Sequence, residues 1–158
     1  MRRNDRNITD IVKIEEIIKS SDCCRIGFYD GNEVYIVPLN FGYELKKDDL
    51  TFYFHGAKEG RKIDLIKTNP KVGFELDTSY KLKTGDVACA YSAYYQSIIG
   101  NGIMSIVSDV EEKKHGLSLL MEHSTNKKDW EYSDAMLDRV EIFKLIAFKF
   151  TAKENKEK

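Results

Sequence analysis

From Cys23 to Thr151, short runs of β-branched and aromatic residues alternate with polar turns, and this alternation constrains the fold more than any other feature of the chain. Such runs favour β-strands, and we predict about six or seven of them. They lie at 25–29, 33–43, 50–54, 72–76, 87–107 (one bent strand or two) and 140–151. Because short turns join them and few helices intervene, the pattern predicts a mainly β (α+β) fold, an antiparallel barrel with peripheral helices.

Helices are predicted from apolar residues at helical spacing and from capping residues. They cover 9–19, 60–68, a segment after Asp109, and a turn at 133–137. Thr9 or Asp10 is the expected N-cap of the first helix. The helix after Asp109 has a predicted apolar face of Val110, Leu117, Leu120 and Met121. The remaining segments are predicted as a polar turn at 44–49, a polar loop at 80–86 and a frayed charged tail at 152–158.

The overall composition predicts one ordinary domain. The chain has 158 residues and a formal net charge of −1, so no global field attracts it to nucleic acid or to an anionic membrane. We expect no signal peptide and no transmembrane helix, because no stretch has the necessary apolar run. Cys23, Cys24 and Cys89 form neither a disulfide framework nor a metal motif, which predicts free thiols and a cytoplasmic location.

Pro38 lies inside the second predicted strand. Proline cannot donate a hydrogen bond to a neighbouring strand, so we expect this strand at the edge of the sheet or at a bulge. Edges and bulges often flank binding sites.

The segment from His55 to Lys62 joins the end of a strand to the start of a helix, and it contains two glycines and the cationic residues Lys58, Arg61 and Lys62. A helix N-terminus has free N–H groups and the positive end of the helix dipole, and glycine lets the backbone approach a phosphate. Arg61 and Lys62 would complete the charge of the anion. On composition alone, an ordinary loop with a solvated helix start explains the segment equally well.

Motifs of other activities are incomplete. The sequence has no G-x-x-x-x-G-K-[ST] and no G-x-S-x-G, and the segment at 100–105 lacks the third glycine of a dinucleotide fingerprint. The three histidines lack the spacing of metal ligands, so no metal site is predicted. His115 and His123 lie off the apolar face of their helix and are interpreted as solvated, whereas His55 lies beside the candidate phosphate loop.

Four segments occur in a specific order along the chain: 35–43 (YIVPLNFGY), 54–62 (FHGAKEGRK), 69–72 (NPKV) and 97–102 (SIIGNG). With the opening Met1-Arg2-Arg3, they resemble the pyridoxamine 5′-phosphate oxidase-like split-barrel flavoproteins, and most of all the 5-nitroimidazole-resistance (Nim-type) branch. The resemblance implies a single FMN-binding split-barrel domain at 1–151 and a homodimer with FMN at its interface. The substrate-binding C-terminal segment of a true pyridoxamine phosphate oxidase is not recognisable, so vitamin B6 chemistry is not expected.

The resemblance also assigns roles to residues of this chain. The first segment lines the isoalloxazine ring, the residues near His55 lie beside the flavin, and Arg61 and Lys62 bind its phosphate. Gln96 or Ser97 approaches the flavin as well. The implied cofactor-binding residues are Tyr35, Ile36, Val37, Pro38, Leu39, Asn40, Phe54, His55, Gly56, Ala57, Lys58, Arg61, Lys62, Gln96 and Ser97.

These assignments lead to the hypothesis of an FMN-dependent oxidoreductase that passes electrons from NAD(P)H to a nitroaromatic or another electron-poor small molecule. His55 is the candidate catalytic residue, because it could place or protonate the acceptor. A flavin-binding carrier or redox sensor without turnover would use the same pocket and is the alternative. Haem or another planar ligand is a third hypothesis.

Overall fold

Strands are the main regular element of the fold, and the computed structural model describes residues 4–47 and 49–157. The eight strands are β1 Asn7–Ile8, β2 Cys24–Tyr29, β3 Val34–Leu39, β4 Gly42–Lys46, β5 Asp49–Gly56, β6 Lys71–Lys83, β7 Ser92–Ile106 and β8 Glu141–Asn155. The helices are α1 Ile11–Lys19, α2 Arg61–Thr68, α3 Val110–Thr125 and α4 Asp134–Leu137, with short 3₁₀ turns at Asn4–Arg6 and Ala88–Ala90. The Met1-Arg2-Arg3 segment of the resemblance lies outside the described residues.

The strands form one antiparallel sheet in the order β3-β2-β6-β7-β8-β5-β4, and β1 pairs with β8. β3 and β4 lie at opposite ends of this order, although only Asn40 and Phe41 separate them in the chain. Three Cα–Cα steps span at most about 11 Å, so the sheet must curl until its two end strands are close. The predicted fold class, a split antiparallel barrel with peripheral helices, is confirmed.

Aromatic residues fill the centre of the curled sheet. Phe41, Phe52 and Phe74 are buried, and the ring centroid of Phe52 lies 5.4 Å from that of Phe41 and 5.3 Å from that of Phe74. Both contacts are edge-to-face, an arrangement that aromatic quadrupoles favour. Phe41 lies at the link between β3 and β4, so its ring fills the core beside the split.

Two helices begin where the sequence predicts them. The side chain of Asp10 accepts a hydrogen bond from the backbone N–H of Val12, and Ile14, Ile17 and Ile18 bury one face of α1. Asp109 caps α3 in the same way, through the N–H of Glu112. These caps satisfy backbone donors that a helix start would otherwise leave free.

The apolar face predicted for α3 is partly wrong. Val110 is 49% exposed, and the buried residues of α3 are Gly116 and Leu120. A Cβ on Gly116 would lie 2.7 Å from a ring carbon of Tyr53, so this glycine lets α3 pack directly against β5. The sequence pattern missed this contact because a glycine carries no hydrophobic signal.

Three predicted boundaries are also wrong. Gly42–Lys46 is a separate strand that pairs with β5, so the predicted second strand does not run on to residue 43 and the polar turn does not begin at residue 44. β6 continues to Lys83, into the predicted polar loop. β8 continues to Asn155, and Ala152, the first residue of the predicted tail, is buried opposite Ile8 and Ile98.

The cysteines agree with the prediction of free thiols. Cys23 is half-buried, Cys24 is buried and Cys89 is exposed, and all three are free thiols. In the part of the chain that the structure describes, none of the helices has the length and apolar character needed to span a membrane.

Candidate functional site

β3 carries the segment predicted to line a flavin, and it is an edge strand. Among the described residues it pairs only with β2, from Val34↔Tyr29 to Leu39↔Cys24. The edge position predicted from Pro38 is therefore confirmed. Along β3, Tyr35, Val37 and Leu39 are half-buried, while Ile36, Pro38 and the following Asn40 are exposed. The outer edge of β3 has backbone N–H and C=O groups that no other described strand engages, and such groups can bind a ligand.

β5 leads from the core to the candidate phosphate loop. Phe54 is fully buried, so its side chain belongs to the core and only its backbone is available to a ligand. His55 is exposed, Gly56 is half-buried, and Ala57 and Lys58 in the following loop are exposed. These consecutive residues therefore lie in different environments.

α2 begins directly after this loop. Gly60 is its N-cap with a φ of 114°, a backbone conformation that favours glycine, and no side chain caps the helix. The carbonyl of Gly60 accepts hydrogen bonds from Ile63 and Asp64, which closes the first turn. The N–H groups of the first residues point out of the helix, as a bound anion requires.

Lys62 has no carboxylate within ion-pairing distance among the described residues. Its side chain is half-buried and its Nζ lies 5.0 Å from the centre of the Phe143 ring. A Cβ on Gly56 would lie only 2.8 Å from this Nζ, so the amine occupies the space that the glycine leaves open. Burial lowers the pKa of Lys62, because the charged form is partly desolvated. A bound anion would remove this penalty.

Arg61 differs from Lys62 because it already has acidic partners. Its Nη2 donates to Asp30 Oδ2 at 2.8 Å and also to Glu33 Oε1. Its guanidinium lies 4.7 Å from the centre of the Tyr35 ring. Hydrogen bonds and charge from both carboxylates raise the pKa of Arg61, which is charged at any physiological pH. Arg61 thus links α2 to the β2–β3 hairpin.

Gln96 and Ser97 lie far from β3 along the sheet. They pair with Thr78 and Asp77 on β6, and with Glu154 and Lys153 on β8. Two strands, β2 and β6, separate β7 from β3. At the usual spacing of neighbouring strands, this corresponds to about 14 Å along the sheet. One copy of the chain does not bring these two residues to β3.

Five surface depressions in the described part of the chain lie mostly away from the predicted site. Five depressions have volumes of about 280 to 460 Å³, and of the predicted site residues only Gln96 lines one of them. An open edge strand and an exposed loop form no enclosed cavity on their own. The predicted residues therefore form a surface that a single copy does not close.

Sequence reasoning missed the environment of His123. Its Nδ1 lies 2.8 Å from the carbonyl oxygen of Phe41, and its ring lies 4.3 Å from the Phe41 ring. It also lines a depression of about 380 Å³ with Tyr43 and Glu15, which share a hydrogen bond of 3.2 Å. The interpretation of His123 as a solvated residue is wrong, because β4 and the β3–β4 link pack against its helix. His115 agrees better with the prediction of a solvated side chain, because 47% of its side chain is exposed.

The sequence matches a family model over most of its length. The model describes the pyridoxamine 5′-phosphate oxidases and matches residues 11–154. The chain belongs to this family. A comparison with curated protein sequences found no significant match.

Solved structures of several proteins are similar to this member of the pyridoxamine 5′-phosphate oxidase family. A candidate 5-nitroimidazole antibiotic resistance protein from Bacteroides thetaiotaomicron is 34% identical, with a TM-score of 0.80 and coverage of 94% of this chain and 86% of that one. Flavocytochrome Anf3 from Azotobacter vinelandii is 14% identical, with a TM-score of 0.79 and coverage of 99% and 72%. A FAD and heme binding protein from Mycobacterium smegmatis is 11% identical, with a TM-score of 0.80 and coverage of 96% and 74%. The last two likenesses establish a shared fold.

The two histidines of α3 should differ in their effect on stability. We expect His123→Ala to lower the free energy of unfolding by about 1–3 kcal/mol, because it leaves the Phe41 carbonyl without its partner and removes a ring contact. His115→Ala, on the same helix, should lower it by less than about 1 kcal/mol, because its contacts with Glu44 and the Tyr53 ring are partly exposed to solvent. Urea unfolding followed by circular dichroism measures both. Equal losses for the two variants would contradict this assignment.

Proposed function

We propose that this protein binds FMN and is an FMN-dependent oxidoreductase, which passes electrons from NAD(P)H to an electron-poor small molecule such as a nitroaromatic compound. The observation that carries the proposal is Lys62, a half-buried amine beside Gly56 and the uncapped start of α2, with no carboxylate partner among the described residues. Family membership and the 34% identity to a candidate 5-nitroimidazole resistance protein support it. Three free cysteines are compatible with the cytoplasmic location that we also propose.

The residues at the start of α2 fit a phosphate monoester. The first N–H groups of the helix are donors without side-chain partners, and Lys62 adds a charge that is already partly desolvated. Charge-assisted hydrogen bonds to a phosphate are about twice as strong as neutral ones. Lys58 is exposed and would contribute mainly through its longer-range charge.

The edge of β3 fits the polar rim of a planar ring. Its free N–H and C=O groups can hydrogen-bond to a pyrimidine edge, and the exposed Ile36 and Pro38 offer apolar contact. Because β3 starts next to Arg61 and runs away from it, one ligand could contact both the loop and the strand. This arrangement suits a molecule with a phosphate at one end and a ring at the other.

FMN, when bound, would supply the electron transfer, and the chain would supply orientation and protons. His55 is the candidate proton donor, because it is exposed at the end of β5 next to the loop. The backbone of β3 would fix the ring, and Lys62 would fix the phosphate. In this proposal His55 would donate a proton to the acceptor.

We further propose a homodimer with the flavin at its interface. Exposed apolar residues lie on the outer face of the sheet, where Ile103 and Ile146 are directly paired and Phe148, at the β8 irregularity, is 63% exposed. Exposed apolar patches of this kind mark interaction sites. A second copy related by a twofold axis could bring its own Gln96 and Ser97 to β3 of the first copy, which one chain does not do.

The spectrum of the purified protein tests the cofactor, and turnover tests the activity. We expect flavin absorption bands, bleaching of these bands by NADH or NADPH, and their recovery when a nitroaromatic acceptor is added.

His55→Ala should retain the flavin and reduce acceptor turnover by about 10²-fold or more, the usual size of an acid–base contribution. A protein that binds micromolar FMN but never turns over would instead be a carrier or a sensor. A colourless protein that does not bind FMN would refute the proposal.

Lys62 should contribute more than Lys58 to the affinity for the phosphate of FMN. We expect Lys62→Met to raise the Kd for FMN about 10- to 100-fold, the equivalent of roughly 1.5–3 kcal/mol for a charge-assisted hydrogen bond. Lys58→Met, in the exposed part of the same loop, should raise it less than about threefold. Fluorescence titration of the apoprotein measures both. Equal effects of the two substitutions would count against a direct contact with Lys62.

The outer face of the sheet should form the interface of the proposed homodimer. Ile103→Asp or Phe148→Asp should convert the dimer to a monomer and weaken FMN binding, because each places a charge in an apolar contact. Val110→Asp is the control, since Val110 is also about half exposed but lies at the start of α3. Light scattering coupled to gel filtration gives the mass. Variants that remain dimeric would show that another surface forms the interface.

A further inference from the structure

The carboxylate of Asp30 contacts two separate parts of the molecule. Its Oδ1 accepts hydrogen bonds from the backbone N–H groups of Asn32 and Glu33, both at 2.9 Å. These bonds close the β2–β3 turn, where Gly31 has a φ of 100°. Its Oδ2 accepts from Arg61 Nη2 at 2.8 Å. One side chain therefore joins the hairpin turn to the first residue of α2.

The contacts of Arg61 leave part of its guanidinium available. Asp30 and Glu33 both accept from Nη2, and the plane of the group is also held near the Tyr35 ring. A guanidinium has five N–H donors in a rigid fork, so an anchor at Nη2 leaves the donors of Nη1 and Nε for another acceptor. Because the fork is rigid, fixing one nitrogen also fixes the direction of the other two.

Asp30 and Glu33 are not equivalent in this arrangement. The Asp30 side chain is 26% exposed and is fixed by the two turn hydrogen bonds, whereas the Glu33 side chain is 58% exposed. The turn N–H groups of Glu33 and Asn32, followed by Arg61, lower the pKa of Asp30 to about 2. Asp30 is therefore ionised at neutral pH, and it is the better fixed of the two anchors.

We propose that Asp30 is a positioning residue, which holds Arg61 by Nη2 so that its remaining donors face a phosphate bound at the start of α2. This inference rests on the proposed function, and it assigns a role to a residue that does not itself touch the ligand. The carboxylate and the phosphate bind different nitrogens of one guanidinium, so they act together and do not compete. Asp30 acts only through Arg61 and only on a ligand that has a phosphate.

The test compares FMN with riboflavin, which has the same ring and no phosphate. Asp30→Asn keeps an oxygen that can accept the turn hydrogen bonds but removes the charge that holds Arg61. We expect the Kd for FMN to rise about tenfold and the Kd for riboflavin to stay within twofold of the wild type. Glu33→Gln should raise the Kd for FMN less than threefold. Asp30→Ser, whose hydroxyl also accepts turn hydrogen bonds, repeats the measurement if Asp30→Asn does not fold.

A double-mutant cycle tests whether Asp30 acts through Arg61. Arg61→Ala should weaken FMN binding, and adding Asp30→Asn to Arg61→Ala should cause no further loss. An additive loss would overturn the proposal. So would an equal loss for FMN and riboflavin, which indicates general damage to the hairpin, or tighter FMN binding, which indicates competition between the carboxylate and the phosphate.

The same data separate this inference from the proposed function. If the wild-type protein binds neither FMN nor riboflavin, the proposed function fails and the positioning role fails with it. If the wild type prefers FMN and Asp30→Asn keeps that preference unchanged, the positioning role alone is overturned.

Discussion

The shape of the sheet depends on how its two end strands meet. β3 and β4 do not pair in the described part of the chain. Only two residues separate them, so the sheet must curl to bring these two strands close together. Phe41 fills the core at this point, and the carbonyl of Phe41 contacts His123 of α3. The next residue, Gly42, has no side chain, and a Cβ there would lie 2.3 Å from the backbone of Leu120. α3 therefore covers the β4 side of the split, and the edge of β3 stays free.

Local patterns in the sequence predicted the parts of the fold that local forces determine. The cap and apolar stripe of α1, the β2–β3 hairpin and the start of α2 all depend on residues within a few positions of one another. β4 and the end of β8 were missed because their sequences are polar. β4 pairs with β5, the carboxylate of Glu44 contacts His115 of α3, and the last residues of β8 are held by pairing with β1 and β7. Partners distant in the sequence stabilise these strands, and hydropathy does not reveal them.

In the candidate site too, the sequence indicated local features but not the contacts between residues that are distant in the chain. The sequence indicated the glycines and cations of the candidate phosphate loop, but it did not distinguish Arg61 from Lys62. The acidic partners of Arg61 lie 28 and 31 residues earlier in the chain, on the hairpin that folds against α2. Lys62 packs instead on Phe143, a residue of β8. Arg61 is thus held by two carboxylates, whereas the neighbouring Lys62 is half-buried and has no carboxylate partner among the described residues. Only the tertiary contacts distinguish these two cations.

Charges of both signs lie around the start of α2, so the positions of the hydrogen-bond donors determine which ligand can bind there. Lys58, Arg61 and Lys62 lie close to four acidic residues, Asp30, Glu33, Glu59 and Asp64, and the whole chain has a net charge of only −1. No long-range field therefore draws an anion to this loop, and at physiological salt charges more than about 8 Å apart are largely screened. In the proposed site, most of the attraction would come from donors in direct contact with the anion, namely the first N–H groups of α2, Lys62, and Nη1 and Nε of Arg61. Because α2 and the β2–β3 hairpin hold these donors in place, the proposed site would suit one tetrahedral anion at one position. A neutral group there would leave Lys62 partly desolvated, with no carboxylate partner among the described residues.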